Sequence, residues 1–252
     1  MRVDAEILNH RNPLTKDTFC DLLDRILRQH GFSLNPLQQQ QFATYWSELK
    51  RWNAQINLTA IRDDREIIIK HFLDALSVLH YFSIKAGDTV IDVGTGAGFP
   101  GIPLKIYIPD IQLTLVEASS KKGSFLRFLI SKLNSVEEHS GPRRGWSTDH
   151  ADDGSGVRVI IQRAEECAKH TQHIKAYDWV LTRYLASLAN SVSYCLPLLK
   201  TDGTWVAYKS CDVQTEIQAA MPQLQSAGGK VESIFKSHIA ELNRTYLAIH
   251  YH

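Results

Sequence analysis

The segment VIDVGTGAGFPGIPLKI carries the residues best placed to do chemistry. A β-branched run ends at Val93, Gly94, Gly96 and Gly98 follow at alternate positions, and Asp92 stands just before the first of them. Glycines so spaced allow a tight strand-to-helix turn and close approach of the backbone to a ligand at the carboxyl edge of a sheet. Read as D-x-G-x-G-x-G, the turn sets a carboxylate beside that ligand. This suits a cation such as a sulfonium with its α-ammonium group, whereas a pyrophosphate prefers bare amides and a helix N-terminus. Gly96, Gly98 and Gly101 also satisfy the literal G-x-G-x-x-G of dinucleotide enzymes. That pattern has low specificity alone, so an NAD(P)-dependent oxidoreductase is the competing reading.

Further chemistry-bearing residues follow each later strand. Glu117 ends LTLVE, where a carboxylate accepts the hydroxyls of a ribose. Ala164 and Glu165 follow VRVII, at an edge where loops meet the adenine of such a ligand. Arg183 and Lys209 end the next two strands, and each is a candidate to pair with a ligand carboxylate or a substrate phosphate. The [DN]-P-P-[YF] tetrapeptide that supports amine methylation is missing, since the fourth strand ends Leu181-Thr182-Arg183-Tyr184. No Pro-Cys nucleophile is present either, as Cys195 precedes Leu196 and Cys211 follows Ser210. What fits is an acceptor that loses no proton, such as guanine N7, with positioning supplying most of the acceleration. Cys167, His170 and His173 lack a fourth ligand at suitable spacing, so no metal is expected. His71 and Asp74, one helical turn apart, read as an acid/base pair or as partners that satisfy each other.

These residues need elements to position them. Phe19, Leu22, Leu23, Ile26 and Leu27 repeat at helical spacing between Thr15 and Gly31. A second helix starts at Asn35-Pro36 and carries Phe42, Tyr45, Trp46, Leu49 and Trp52 on one face. A third is expected from about Asp63 to Tyr81. After Gly87, β-branched runs alternate with helical stretches (TVIDV, QLTLVEA, VRVII, YDWVLT, TWVAYK), which predicts a parallel sheet of βα units. KVESIFK and RTYLAIHY are too close for a helical crossover and should pair antiparallel. The expected fold class is α/β, with seven strands, five parallel and two in a C-terminal hairpin. A helical N-terminal extension spans residues 1–86 and the ligand-binding domain 87–252, with residues 134–156, rich in Gly, Ser, Asp and Arg, as an exposed loop insertion.

At 252 residues, with 44% hydrophobic and 22% charged residues, the chain has the composition of a soluble globular protein. A formal net charge of +1 gives no global field for nucleic acid, so contact with RNA relies on local clusters: Lys50-Arg51, Arg62, Arg65 and Lys70; Lys121-Lys122, Arg127 and Lys132; Arg143-Arg144. Four scattered cysteines frame no disulfide scaffold. No secretory leader or membrane span of roughly 18 apolar residues stands out, and a cytoplasmic location is expected.

The stretch RWNAQINLTAIRDDREIIIKHFLDALSVL, followed by DVGTGAGFPGIPL, VEASSKKGSFLRFL, a strand ending in Arg183, and Lys209-Ser210, resembles the bacterial 16S ribosomal RNA guanine-N7 methyltransferases, also called glucose-inhibited division protein B. The likeness runs from about Trp52 to Lys209. It implies a Rossmann-like methyltransferase sheet, S-adenosyl-L-methionine as methyl donor, and N7 of a guanine in the 530 loop of 16S rRNA as acceptor. It also implies Gly94, Phe99, Ala164, Glu165 and Arg183 as donor contacts, beside Asp92, Gly96, Gly98 and Glu117 from the turn itself. The expected partner is 16S rRNA or a small-subunit precursor particle, not DNA or a membrane, with the enzyme acting as a monomer. The family usually reads S-R-A and K-G where this chain has Thr182-Arg183-Tyr184 and Lys209-Ser210. Those departures leave open a noncatalytic RNA-binding assembly factor that retains the cofactor fold.

Overall fold

The computed structural model describes residues 14–138, 146, 156–210 and 213–251. Two amphipathic helices open it, each with a reciprocal capping box. α1 (Lys16–Gln29) is capped by Thr15 with Thr18, and α2 (Pro36–Asn53) by Asn35 with Gln38 and starts on proline. Their apolar faces bury Phe19, Leu23, Leu27, Phe42, Tyr45 and Leu49.

The expected third helix is present but not regular. Asp63 caps α3 (Asp64–Ile67), a π-helical turn follows over Ile68–Leu73, and α4 (Asp74–Leu76) runs into a 3-10 turn at Ser77–His80. The Asp74 amide bonds the Ile69 and His71 carbonyls and skips Lys70, whose carbonyl instead accepts from Arg183 Nη1. The wide turn therefore frees a backbone acceptor for the sheet, a use common for π turns.

The sheet has seven strands, β1 (Thr89–Val93), β2 (Gln112–Glu117), β3 (Val157–Ile161), β4 (Tyr177–Arg183), β5 (Leu199–Lys209), β6 (Gly229–Lys236) and β7 (Thr245–Tyr251), in the order β3-β2-β1-β4-β5-β7-β6. β1 to β5 are parallel, while β7 is antiparallel to both β5 and β6. The parallel strands and terminal hairpin match expectation. The insertion of β7 between β5 and β6 is new. β5 also begins earlier than TWVAYK, at Leu199, which pairs with Tyr177 of β4; Lys200 to Gly203 then bulge from the ladder before Thr204 pairs with Trp179.

α5 (Gly101–Tyr107) and α6 (Ser120–Glu138) cover one face with the N-terminal helices, burying Ile102, Leu104, Phe125 and Leu129 in one core. α7 (Ala164–Cys167), α8 (Leu188–Cys195) and α9 (Gln214–Ser226) cover the other through Cys167, Val192 and Leu224. Strands covered on both faces read as near-continuous apolar runs, as TVIDV does apart from Thr89 and the buried Asp92. Residues 134–138, expected to begin the loop insertion, instead finish α6, and Trp146 is buried in the first core. The rest of that expected loop lies outside the described residues. Among the described residues no helix is long and apolar enough to cross a membrane.

The order of connection reverses between β1 and β4, which makes the crevice beyond their carboxyl ends the topological switch point where open α/β sheets bind ligands. Register brings Val93 beside Val116 and Thr182, Glu117 beside Ile161, and Lys209 beside Thr245. Every expected site residue therefore falls on this one edge.

Candidate functional site

The turn after β1 is built by glycine. Gly94 and Gly96 have φ of +72° and +63°, a region L side chains avoid. The Gly94 and Thr95 amides both donate to the Val116 carbonyl, at 2.9 and 3.0 Å, which folds the turn over the end of β2. Leu185 lies so close to Gly94 that a β-carbon there would overlap it, whereas a β-carbon on Gly96 meets nothing within 4 Å. Gly98 sits inside, against Ile102 and the Tyr45 hydroxyl. Open space thus adjoins Gly96.

Two carboxylates brace this turn. Glu117 accepts from the Gly96 amide at 2.9 Å and the Ser119 amide at 2.8 Å. Asp92 is fully buried. Its Oδ2 accepts from Thr95 Oγ1 at 2.7 Å and from the Gly101 amide, at the start of α5, at 2.9 Å, while its Oδ1 has no hydrogen-bond partner. Burial pushes its carboxyl up to about 6, against the pull of the bonds from Thr95 and Gly101. The chain thus places an under-satisfied, titratable carboxylate directly beneath the glycine turn.

Arg183 is the second centre. Only 7% exposed, it donates through Nη1 to Asp74 Oδ2 at 2.7 Å and to the Lys70 carbonyl at 3.1 Å, and Nη2 lies 3.2 Å from His71 Nδ1. A guanidinium can only donate, so Nδ1 accepts and Nε2 carries the proton, donated to Thr59 Oγ1 at 2.8 Å. Burial, reinforced by Arg183, lowers His71 to about 3. His71 and Asp74 therefore do not satisfy each other; both converge on Arg183. Asp74 also takes Arg244, at 2.8 Å to Nε and 2.9 Å to Nη2. One buried carboxylate joins α4, β4 and the start of β7.

Phe99 packs beneath this cluster, stacked on His71 and Tyr45 with centroids 4.5 and 5.0 Å away, and the Arg183 guanidinium sits 5.2 Å from its ring. Lys209 pairs with Glu216 at 2.6 Å, which also accepts the Leu188 amide. Both strand-end cations are thus engaged by internal carboxylates. Ala164 is half-buried and Glu165 exposed at the start of α7, beyond Glu117 on the same edge.

Of the expected basic clusters, Lys50 pairs with Asp64, Arg51 with Glu48 and Lys70 with Glu66. Arg62, Arg65, Lys121 and Arg127 are exposed. Arg143-Arg144 lie outside the described residues, as does Cys211. His173, once a metal candidate, is buried with Nδ1 2.7 Å from the Tyr177 hydroxyl. Sequence reasoning missed Arg244 and Thr59. Arg244 stands just before β7 and reaches the site only because β7 inserts beside β5, which no local pattern announces.

The model of the GidB family, described as rRNA small subunit methyltransferase G, matches residues 38–138 and 151–245. Ribosomal RNA small subunit methyltransferase G of Alkaliphilus metalliredigens is 39% identical over 80% of this chain and 76% of its own length. The protein of that name from Roseiflexus sp. is 38% identical over 84% and 82%. Among solved structures, M. jannaschii TYW2 in complex with AdoMet superposes with a TM-score of 0.51 at 14% identity, over 78% of this chain and 77% of that one. A SAM dependent methyltransferase from Aquifex aeolicus gives 0.50 at 16% identity, over 74% and 93%. At such identities these structures speak for the fold alone, a Rossmann-like sheet. The sequence match reaches further, across both the glycine turn and the Arg183 centre, and this chain belongs to the GidB family.

Proposed function

We propose that this protein transfers a methyl group from S-adenosyl-L-methionine to N7 of a guanine in 16S rRNA, in the 530 loop. The observation that carries the donor assignment is the Glu117 bond to the Gly96 amide beside open space at the switch point. A carboxylate so held keeps lone pairs for ribose hydroxyls. Asp92 Oδ1, buried without a partner, adds negative charge beneath the turn, which favours a cationic donor over a pyrophosphate. The residues present therefore fit the donor, with Gly94, Gly96, Gly98, Glu117, Ala164 and Glu165 around it and Phe99 and Arg183 supporting its far end. Family membership favours methyl transfer over the hydride chemistry of a dinucleotide enzyme.

The bound donor supplies a sulfonium methyl: the acceptor lone pair forms the new bond as the S–CH₃ bond breaks, the electron pair stays on sulfur, and the positive charge passes to the base. No proton leaves N7, and the site is organised accordingly. His71 has both ring nitrogens engaged and Asp92 is sealed from solvent, so neither serves as a base at the lip. What the chain provides is orientation: Asp74 locks Arg183, and Arg183 with Phe99 supports the wall beside the turn. In this reading residues 87–252 hold the donor. Residues 1–86, with Lys50, Arg62, Arg65 and Lys70, face the RNA, and the protein works as a monomer in the cytoplasm.

The test supplies tritiated S-adenosylmethionine and small-subunit particles, or their RNA, from cells lacking this protein, then maps the labelled base. Label at guanine N7 in the small-subunit RNA is expected. Label on an exocyclic amine or on protein overturns the acceptor assignment, and tight binding of a nicotinamide dinucleotide without affinity for adenosylmethionine overturns the donor.

A further inference from the structure

Tyr184 follows Arg183 at the catalytic edge of the sheet and is 75% exposed. Its φ is +55°, in the left-handed region that bulky residues avoid and occupy only when their surroundings hold them there. Here the holding is electrostatic. Arg244 Nη2 donates to the phenolic oxygen at 2.9 Å, and the guanidinium carbons of Arg183 and Arg244 lie 5.2 and 5.0 Å from the ring centroid. Both guanidiniums are themselves locked on buried Asp74. A large aromatic surface is thereby held rigid in water, open to a partner that covers it.

Position says what covers it. The next residue, Leu185, folds back onto Gly94, so the ring stands at the lip of the glycine turn, beyond β4. Glu117 and Ala164, which mark the ribose and adenine side of the donor, lie across β2 and β3 in the opposite direction. The ring is thus available to the acceptor. Bases taken out of a stack for chemistry are held between planar side chains, and a cation against one face of a tyrosine draws electron density from the other, which favours an electron-rich purine there.

We propose that Tyr184 is the stacking platform for the acceptor nucleobase, oriented by the Asp74–Arg183–Arg244 cluster; this rests on the methyl-transfer reading above. The experiment measures methyl transfer from tritiated S-adenosylmethionine to small-subunit particles from cells lacking this protein, with donor affinity by calorimetry and melting temperature in parallel. Y184L is expected to lower kcat/KM for the particle at least tenfold, mainly through KM, with donor Kd within twofold of wild type. Y184F and Y184W keep a planar face and lose the phenolic bridge; both are expected to recover kcat/KM to within about threefold. The inference is overturned if Y184L matches wild type, if Y184F and Y184W fall as far as Y184L, or if Y184L loses donor binding. Should Y184L lower the melting temperature, Y184W against Y184Q decides the same question, equal loss in both overturning the inference. Wild-type protein that binds the donor but labels no RNA overturns the methyl-transfer reading, and this inference with it.

Discussion

Asp74 Oδ2 and Arg183 Nη1 meet at 2.7 Å with their side chains 1% and 4% exposed, so the pair that anchors β4 to the N-terminal helices is closed to solvent. The same carboxylate holds Arg244 at 2.8 Å, so two buried cations depend on one anion. Replacing Asp74 by Asn preserves shape and leaves both without a counter-charge. Removing one partner of a buried pair costs about 3–5 kcal/mol, and D74N is expected to lose that much in urea unfolding. A loss below about 1 kcal/mol, the range of exposed pairs, would show that water reaches the cluster.

His71 gives that cluster a pH signature. Its pKa in the folded state is lowered to about 3, through burial first and Arg183 second. The unfolded chain takes up a proton near pH 6.5 that the folded protein refuses. His71 therefore contributes stability that is present above pH 6.5 and lost progressively as pH falls toward 3. H71Q, which also loses buried hydrogen bonds, is expected to be less stable than wild type by about 1–3 kcal/mol near neutral pH. The gap should narrow by about pH 5. Denaturant unfolding of both proteins at the two pH values checks this, and a constant gap would show that His71 protonates in place.

Much of this site was legible before the fold was known, and the boundary of legibility has a physical cause. Asp92, the glycines and Glu117 are local: each stands at a fixed offset from the end of a strand, and βα alternation puts strand ends on one edge. The interior role of Arg183 was not legible, because its partner Asp74 lies 109 residues away and Arg244, which shares that carboxylate, lies 170 residues from Asp74; the three meet only through sheet order. The π turn escaped notice for a related reason. IIKHFL has the apolar spacing of an ordinary helix, and the Lys70 carbonyl that the wide turn frees finds its donor on the distant Arg183 guanidinium. Helical periodicity likewise fades after Leu133, where the mostly polar Asn134, Ser135, Val136, Glu137 and Glu138 nonetheless continue α6.

Asp92 supplies a third expectation, opposite in sign to the second. Its pKa is raised to about 6 by burial, so between about pH 4 and pH 6 the folded protein holds a proton that the unfolded chain releases. Stability from this residue is greatest at low pH and is lost as pH rises through 6. Asn at this position can keep the bonds from Thr95 and Gly101 on its oxygen while removing the charge. D92N is therefore expected to melt at a higher temperature than wild type near neutral pH and to bind S-adenosylmethionine about tenfold or more weakly, a difference worth about 1.4 kcal/mol. Wild-type affinity should fall in the same direction below about pH 6, as the carboxylate is neutralised. A D92N protein with unchanged donor affinity would show that this charge serves the turn and not the donor.

Gly94 and Gly96 separate the two demands placed on the turn. Both adopt positive φ, so alanine at either costs about 1–2 kcal/mol in backbone strain. At Gly94 the added carbon also overlaps Leu185, while at Gly96 it enters space with no atom within 4 Å. G94A should therefore lose more stability than G96A in denaturant unfolding. If that empty space is where the donor lies against the backbone, donor affinity should be lost by G96A, at least tenfold in calorimetry, although G96A is the better folded of the two. G96A with wild-type affinity would mean that the donor approaches the turn from another side, and that the Glu117 bond to the Gly96 amide serves the fold rather than the ligand.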